Sequence, residues 1–259
     1  MKTALVTGAS KGIGAEFARQ LAAQKVNLVL VARSEDKLQE LAEQLESEYG
    51  IRAYAIAQDL TLPQAGSIIA EKIEHQELDI DLLVNNAGFG DYGLFSDRPL
   101  AKQMSMIQLN INVLVELTSL FLPAMQRRGE GGIINISSIA GFQPIPKMSV
   151  YAATKAFVLN FTEALWAENK DTGVKILAVC PGPTESEFFK AAEFPDSMME
   201  KNQNTMKLTS NTVVVADALK ALASKQSNIV TGGLVNQFIV NLPRFMPRDL
   251  LVKQIAKMF

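Results

Sequence analysis

Ala4-Leu5-Val6-Thr7-Gly8-Ala9-Ser10-Lys11-Gly12-Ile13-Gly14 joins a short apolar run to a glycine-rich turn, after which Phe17, Leu21 and intervening alanines recur at helical spacing. A strand, a glycine turn and a helix N-terminus in that order form a cradle for a pyrophosphate. The glycines let the backbone approach, and free N–H groups with the helix dipole favour an anion. The spacing is G-x-x-x-G-x-G, and the flanking strand and helix are what give it meaning. Gly8, Ser10, Lys11, Gly12, Ile13 and Gly14 are the contacts expected there.

Outward from this turn, apolar runs at residues 26–31, 51–57, 82–84, 133–136 and 174–179 read as further strands. The run at 26–31 is nearly continuous, as suits a sheet covered on both faces. Residues 35–49 read as a helix with Leu38, Leu41 and Leu45 on one side, and helical stretches are expected over about 99–127 and 151–169. This alternation predicts an α/β fold: a Rossmann-type, doubly wound parallel sheet with helices on both faces. No linker, repeat or block of like charge divides the 259 residues, so a single domain is expected.

The second strand ends in Ala32-Arg33-Ser34. In a dinucleotide fold the residue after this strand faces the adenosine ribose, where an acid pairs with a free 2′-hydroxyl and an arginine holds a 2′-phosphate. Arg33, with Lys11 as a second cation, favours NADP(H) over NAD(H); the plain alternative for Arg33 is a solvated residue at a helix start. Asp59, at the end of the third strand, reads equally as an acceptor for the adenine amino group and as a cap before Thr61. Asn85-Asn86-Ala87-Gly88 suits a turn whose side chains tie strands together while its backbone passes a ligand. Asn110 and Asn112 lie in an otherwise apolar helical stretch where asparagine is a poor helix former, so a buried amide near Asn112 requires hydrogen-bond partners.

Tyr151-Ala-Ala-Thr-Lys155 puts a phenol and an ammonium one turn apart on a helix. Lowering a phenol from about 10 to neutrality takes roughly 4 kcal/mol. A positive charge at about 4 Å in a partly screened cleft supplies that order of energy. The pair therefore reads as an acid/base of usable strength; taken alone, it reads as well as a core aromatic and a snorkelling lysine.

These elements together resemble the short-chain dehydrogenase/reductase family: TGASKGIG at 7–14, Asp59, NNAG at 85–88, Asn112, Ser138, YxxxK at 151–155 and PG at 181–182, in order over about the first 190 residues. The resemblance implies that Tyr151 is the acid/base, that Lys155 binds the nicotinamide ribose and lowers the phenol's pKa, that Ser138 holds the substrate oxygen and that Asn112 anchors a water in a proton relay. It also implies cofactor contacts from Leu60, Asn86, Ala87, Gly88, Pro181 and Gly182, with Thr184 and Ser186 near the carboxamide, although these last two would equally cap a helix. Residues 183–208, rich in Phe and Met (Phe188, Phe189, Phe194, Met198, Met199, Met206), correspond to a mobile substrate lid in that family. Phe89, Tyr92, Phe95, Phe142 and Met148 are candidates for the rest of an apolar wall, or ordinary core.

The expected activity is that of an NADP(H)-dependent oxidoreductase acting on a small to medium apolar ketone or secondary alcohol. Reduction of a 3-oxoacyl thioester is the alternative, and a non-catalytic NADP(H)-binding redox sensor is a rival of another class. With 25 basic and 27 acidic residues and no basic stripe, nucleic acid is not an expected partner. Cys180 is the sole cysteine and His75 the sole histidine, which excludes an intrachain disulfide and leaves no expectation of a metal site. No apolar run approaches the roughly 20 residues of a membrane span, and the apolar start is too short for a secretory leader, so a cytoplasmic protein is expected. The C-terminal extension, residues 234–259, carries Leu251, Ile255, Met258 and Phe259 at helical spacing with Lys253 and Lys257 off that stripe. It is expected to dock on the domain or on another subunit of a dimer or tetramer, with membrane contact the minority reading.

Overall fold

The architecture comes from a computed structural model, which describes residues 2–185, 187–195 and 208–257. Seven strands, β1 (Thr3–Thr7), β2 (Asn27–Ala32), β3 (Ala53–Ala57), β4 (Leu82–Asn85), β5 (Gly131–Ile136), β6 (Val174–Cys180) and β7 (Asn228–Val230), form one parallel sheet in the order 3-2-1-4-5-6-7. Strand order reverses between β1 and β4, which pair directly with Val6 opposite Val84. A crevice therefore opens beyond their C-terminal ends, where neighbouring crossovers leave in opposite directions.

Helices cover both faces, which explains the unbroken apolar strands. On one side α1 (Gly12–Ala23), α2 (Glu35–Tyr49) and α8 (Asn211–Ala223) pack Phe17, Leu38 and Val214 onto Val6, Leu30 and Val179. On the other, α3 (Ala65–Glu74) and α5 (Val113–Arg128) pack Ile69 and Leu117 onto Leu5, Val29 and Ile133. Alternate residues of a strand serve opposite cores, so Leu5 and Val6 are both fully buried but in different clusters.

The helical run expected near residues 99–127 is α4 (Leu100–Ile107), one wider π-helical turn (Gln108–Asn112) and α5. Together, Leu100–Arg128 is long and apolar enough to cross a membrane by length and composition, with a mean hydropathy of 1.4 over its most apolar 18 residues. Part of its apolar surface is buried, with Val113, Leu117 and Met125 against the sheet and α3, while Leu100, Met104 and Leu120 are exposed. β3 begins two residues later than expected because Asn27 Oδ1 accepts from Arg52 N at 2.9 Å, and ladder pairing starts at Leu28 with Ala53. Among the described residues the other α-helices are α6 (Ser149–Glu168), a four-residue α7 (Phe188–Ala191), α9 (Leu234–Asn241) and α10 (Arg248–Ala256).

Candidate active site

A cleft of about 1020 Å³ lies over the crevice between β1 and β4. Its floor is built by local chemistry at strand ends. Thr7 Oγ1 donates to Val84 O and accepts from the backbone N–H groups of Asn86 and Ala87, both at 3.0 Å. Asn86 Nδ2 returns to Thr7 O at 2.9 Å and Gly8 O at 3.3 Å, clamping the glycine turn to the end of β4. Behind it, Asn85 donates to Asn135 Oδ1 and Asn135 to Thr162 Oγ1, each at 2.9 Å, tying β4, β5 and α6 together in the interior.

Gly8, Ser10, Lys11, Gly12 and Ile13 line one end of the cleft. No side chain caps α1, so the N–H groups of its first turn remain for an anion. At Gly12, where φ is +58°, a Cβ would meet nothing within 4 Å, which is open ground beside the helix start. Gly14 does not line the cleft: a Cβ there would come within 2.3 Å of Gly8 O, so its role is close packing beneath the turn. Lys11 Nζ is paired with Glu187 at 2.6 Å, across the cleft mouth.

Arg33, Ser34 and Lys37 line the far end with Asp59 and Leu60. Asp59 Oδ1 accepts from Thr61 N at 2.9 Å and Thr61 Oγ1 at 2.8 Å, which closes a turn and caps no helix, since α3 starts only at Ala65 with Gln64 before it. The hydrogen bond from Thr61 N, helped by the Thr61 hydroxyl and by Arg33, holds its carboxyl below the usual range against the effect of burial. Ala87, Gly88, Pro181, Gly182 and Thr184 line the middle and opposite wall, and Ser186 falls outside the described residues.

Ser138, Tyr151 and Lys155 meet at the inner wall of the cleft. Ser138 follows β5 in extended backbone and its Oγ accepts from Ala140 N at 3.1 Å. Tyr151 and Lys155 lie in the first two turns of α6 and are both buried. Lys155 Nζ donates to Ile136 O at 2.8 Å, while Ser137 Oγ donates to Lys155 O at 2.7 Å. Gly141 allows this approach, for a Cβ there would sit 2.8 Å from Lys155 O.

The electrostatics correct one expectation. Lys155 Nζ is 5.8 Å from the Tyr151 ring centroid, and the phenol is not acidified: burial pushes it up to about 12, with hydrogen bonding to Ser138 pulling the other way. Burial brings Lys155 down to about 8. Desolvation of both groups outweighs the charge that their spacing in sequence brings near.

A second correction concerns the asparagines. Asn112 is exposed, does not line the cleft, and donates to Gln108 Oε1 at 2.7 Å. The buried amide is Asn110: its Oδ1 accepts from Phe89 N at 3.1 Å, and its Nδ2 donates to Phe89 O and Thr154 Oγ1, both at 3.0 Å. A Cβ on Gly88 would lie 3.0 Å from Asn110 Oδ1 and 3.4 Å from Lys155 Nζ, so this amide borders the lysine. The signal was present in the sequence, because buried Met106, Asn110, Val113 and Leu117 follow i, i+4, i+7 and i+11 spacing, whereas Asn112 points away from it.

The outer wall is aromatic. Phe188 stacks at a tilt on Tyr151 with centroids 5.2 Å apart, and Gly90 makes room for it, since a Cβ there would meet Phe188 at 2.6 Å. Phe89, Met148, Phe189 and Phe194 also line the cleft, and Tyr92 supports Phe194 at 4.6 Å. Phe95 is exposed and Phe142 packs in a separate cluster beneath β6, so neither belongs to this wall; Met198, Met199 and Met206 lie outside the described residues. The arm carrying α7 is held down by Tyr92 N donating to Ala192 O at 2.9 Å and by Glu193, which pairs with Arg98 and Lys102. Those two cations also bind buried Asp91, which Gln103 approaches at 2.6 Å. Burial pushes the Asp91 carboxyl up, but Arg98 and Lys102 more than offset it and leave it below the usual range. This network went unread in the sequence: Asp91, Arg98, Lys102 and Gln103 are near neighbours along the chain, but Glu193, which ties them to the arm, is about ninety positions further on.

A doubly wound sheet with a glycine cradle at its switch point and a Ser-Tyr-Lys cluster beside it defines a nucleotide-dependent oxidoreductase architecture. Residues 2–196 match the family described as short chain dehydrogenase. The chain is 39% identical over 181 residues to the Ketoacyl reductase HetN of Nostoc sp., covering 70% of this chain and 63% of that protein's length. It is 32% identical over 260 residues to the Very-long-chain 3-oxoacyl-CoA reductase of Rattus norvegicus, covering 97% of this chain and 78% of the relative. Among solved structures, a short-chain dehydrogenase from Sphingobium yanoikuyae in complex with NADPH superposes with a TM-score of 0.83 at 31% identity, over 92% of this chain and 91% of that one. The chain therefore belongs to the short-chain dehydrogenase family and is an oxidoreductase of that type.

Proposed function

We propose that the protein is an NADP(H)-dependent carbonyl reductase or alcohol dehydrogenase acting on a small to medium apolar ketone or the corresponding secondary alcohol. The reading is carried by one observation: Ser138 and a neutral, buried Tyr151 face the cleft side by side, with Lys155 next in from Tyr151 on the same helix. The open Gly12 position and the uncapped start of α1 fit a pyrophosphate, and Arg33 and Lys37 at the far end fit a 2′-phosphate. With NADP(H) held by these residues, the nicotinamide would supply or accept the hydride.

The chain's own residues then deal with charge and proton. Ser138 offers a hydroxyl to the carbonyl oxygen, where negative charge gathers during reduction. Tyr151, neutral at physiological pH, is ready to give its proton to that oxygen. Lys155, near 8, is mostly charged at neutral pH and stabilises the phenolate left behind. Phe89, Phe188, Phe189 and Phe194 exclude water and favour apolar substituents on the carbonyl. Asn110, rather than Asn112, anchors the polar path behind Lys155.

Reduction of a 3-oxoacyl thioester is the second reading. It is favoured by the names of the Nostoc and rat relatives and by Lys102 in the cleft wall. The test is NADPH oxidation by purified protein with bulky apolar ketones and with 3-oxoacyl thioesters, comparing kcat/KM. Tyr151→Phe is expected to lose about 10²–10⁴-fold in kcat with cofactor affinity kept. Wild-type turnover that survives in Tyr151→Phe would remove the acid assignment, and a thioester kcat/KM far above that of every ketone would select the second reading.

A further inference from the structure

The last two helices turn an apolar and basic face outward. In α9, Asn236 and Val240 are buried, and Asn236 Nδ2 donates to Thr231 O at 2.8 Å, which fixes the helix on the domain. The opposite side presents Leu234 at 87% exposure and Phe238 at 69%, with Val235 between them, and Phe245 follows at 83% in the connecting turn. In α10, Leu251 and Ile255 face inward, as expected of a docked terminal helix. Leu250, Lys253 and Lys257 fall within about 60° of one another on its other side at 100° per residue, and all three are exposed.

Charge on this segment departs from that of the whole. Residues 234–257 hold four bases, Arg244, Arg248, Lys253 and Lys257, against one acid, Asp249, in a chain with 25 bases and 27 acids. All four bases are exposed, as are Leu234, Val235, Phe238 and Phe245 of the same segment. A two-fold contact with a second copy through this face would set bases against bases. A terminal segment that combines exposed apolar side chains with an excess of exposed lysine and arginine instead matches a bilayer boundary, where apolar groups enter the acyl edge and cations stay among anionic headgroups.

We propose that this face docks the protein on a lipid surface bearing anionic headgroups. Its location gives the contact a use. The turn Ile139–Phe142, immediately after Ser138, packs against α9, and Gly182 in the cleft wall has no room for a Cβ because Asn236 is there. The helix that carries the exposed face thus backs, by its buried side, on the cleft wall, and docking would bring the cleft within one helix thickness of a lipophilic ketone dissolved in the bilayer.

The test is co-sedimentation of the full chain with phosphatidylcholine vesicles with and without phosphatidylserine. Binding is expected to the anionic vesicles, falling with salt. It should weaken about fivefold for each base replaced in Lys253→Gln and Lys257→Gln, and be lost in Phe238→Ser/Phe245→Ser. These are exposed positions, so unfolding midpoints and turnover of a water-soluble ketone should stay at wild-type values. Equal binding to neutral vesicles, or no binding to either, overturns the proposal. So does a wild-type oligomer, seen by light scattering, that Phe238→Ser/Phe245→Ser dissociates while vesicle binding is unchanged, since the face would then belong to a second copy.

Discussion

Replacing Lys155 by methionine should change how stability depends on pH, and the size of the change follows from the burial of the ammonium. In the folded chain Lys155 is lowered from 10.5 to about 8 by desolvation. Between those values the folded state has shed a proton that the unfolded chain still binds, so this group makes stability rise with pH. Integrated from about pH 7 to about pH 9.5, the wild type should gain about 2 kcal/mol relative to Lys155→Met. Tyr151 and Cys180, both raised to about 12 by burial, stay neutral in the folded state across that window in both proteins. Loss of the bond to Ile136 O offsets the variant by a pH-independent amount and does not enter the slope. Urea unfolding at the two pH values, with matched m-values, measures the difference. Parallel pH dependences in wild type and variant would refute the claim that a charged lysine is desolvated beside Tyr151, and with it the account of why the phenol lacks a lowered pKa.

Two further substitutions address the ends of the cleft. Arg33→Asp should weaken NADPH binding about tenfold to a hundredfold, the worth of one charged hydrogen bond, and leave NADH nearly unchanged in a fluorescence titration; equal losses would deny Arg33 the 2′-phosphate. Asn110→Ala removes the side-chain partner of the part-buried Phe89 N and O and one of the two bonds of buried Thr154 Oγ1, which still donates to Tyr151 O. It should cost at least about 1–3 kcal/mol in thermal unfolding, along with turnover, whereas Asn112→Ala should stay within about 0.5 kcal/mol; the reverse order would restore the original assignment.

Much of this protein was readable from short-range pattern. The apolar run at residues 4–6 followed by glycines announced a strand, a turn and a helix because backbone sterics and hydrogen bonding act over a few residues. The four-residue step from Tyr151 to Lys155 likewise set both side chains on one helix, and both do reach the cleft. Arg33 was legible because the residue after β2 in a doubly wound sheet has one place to go. Asn112 was misread although the phase of the buried stripe was available, since Asn110 and Asn112 stand about 200° apart on a helix.

What local pattern could not decide was the environment. A phenol's proton affinity depends on every atom that displaces water around it, and here α6, Phe188 and the end of β5 together raise Tyr151 where a lone lysine would lower it. The clasp of Asp91, Arg98 and Lys102 onto distant Glu193 has the same origin, because Glu193 meets those cations, and Asp91 loses its solvent, only once the chain has folded. The sequence alone thus determined which elements form and which reactive groups they carry, through short-range sterics and periodicity. The tertiary structure decided how acidic, how buried and how firmly held those groups are, because desolvation and long-range contact are properties of the packed whole.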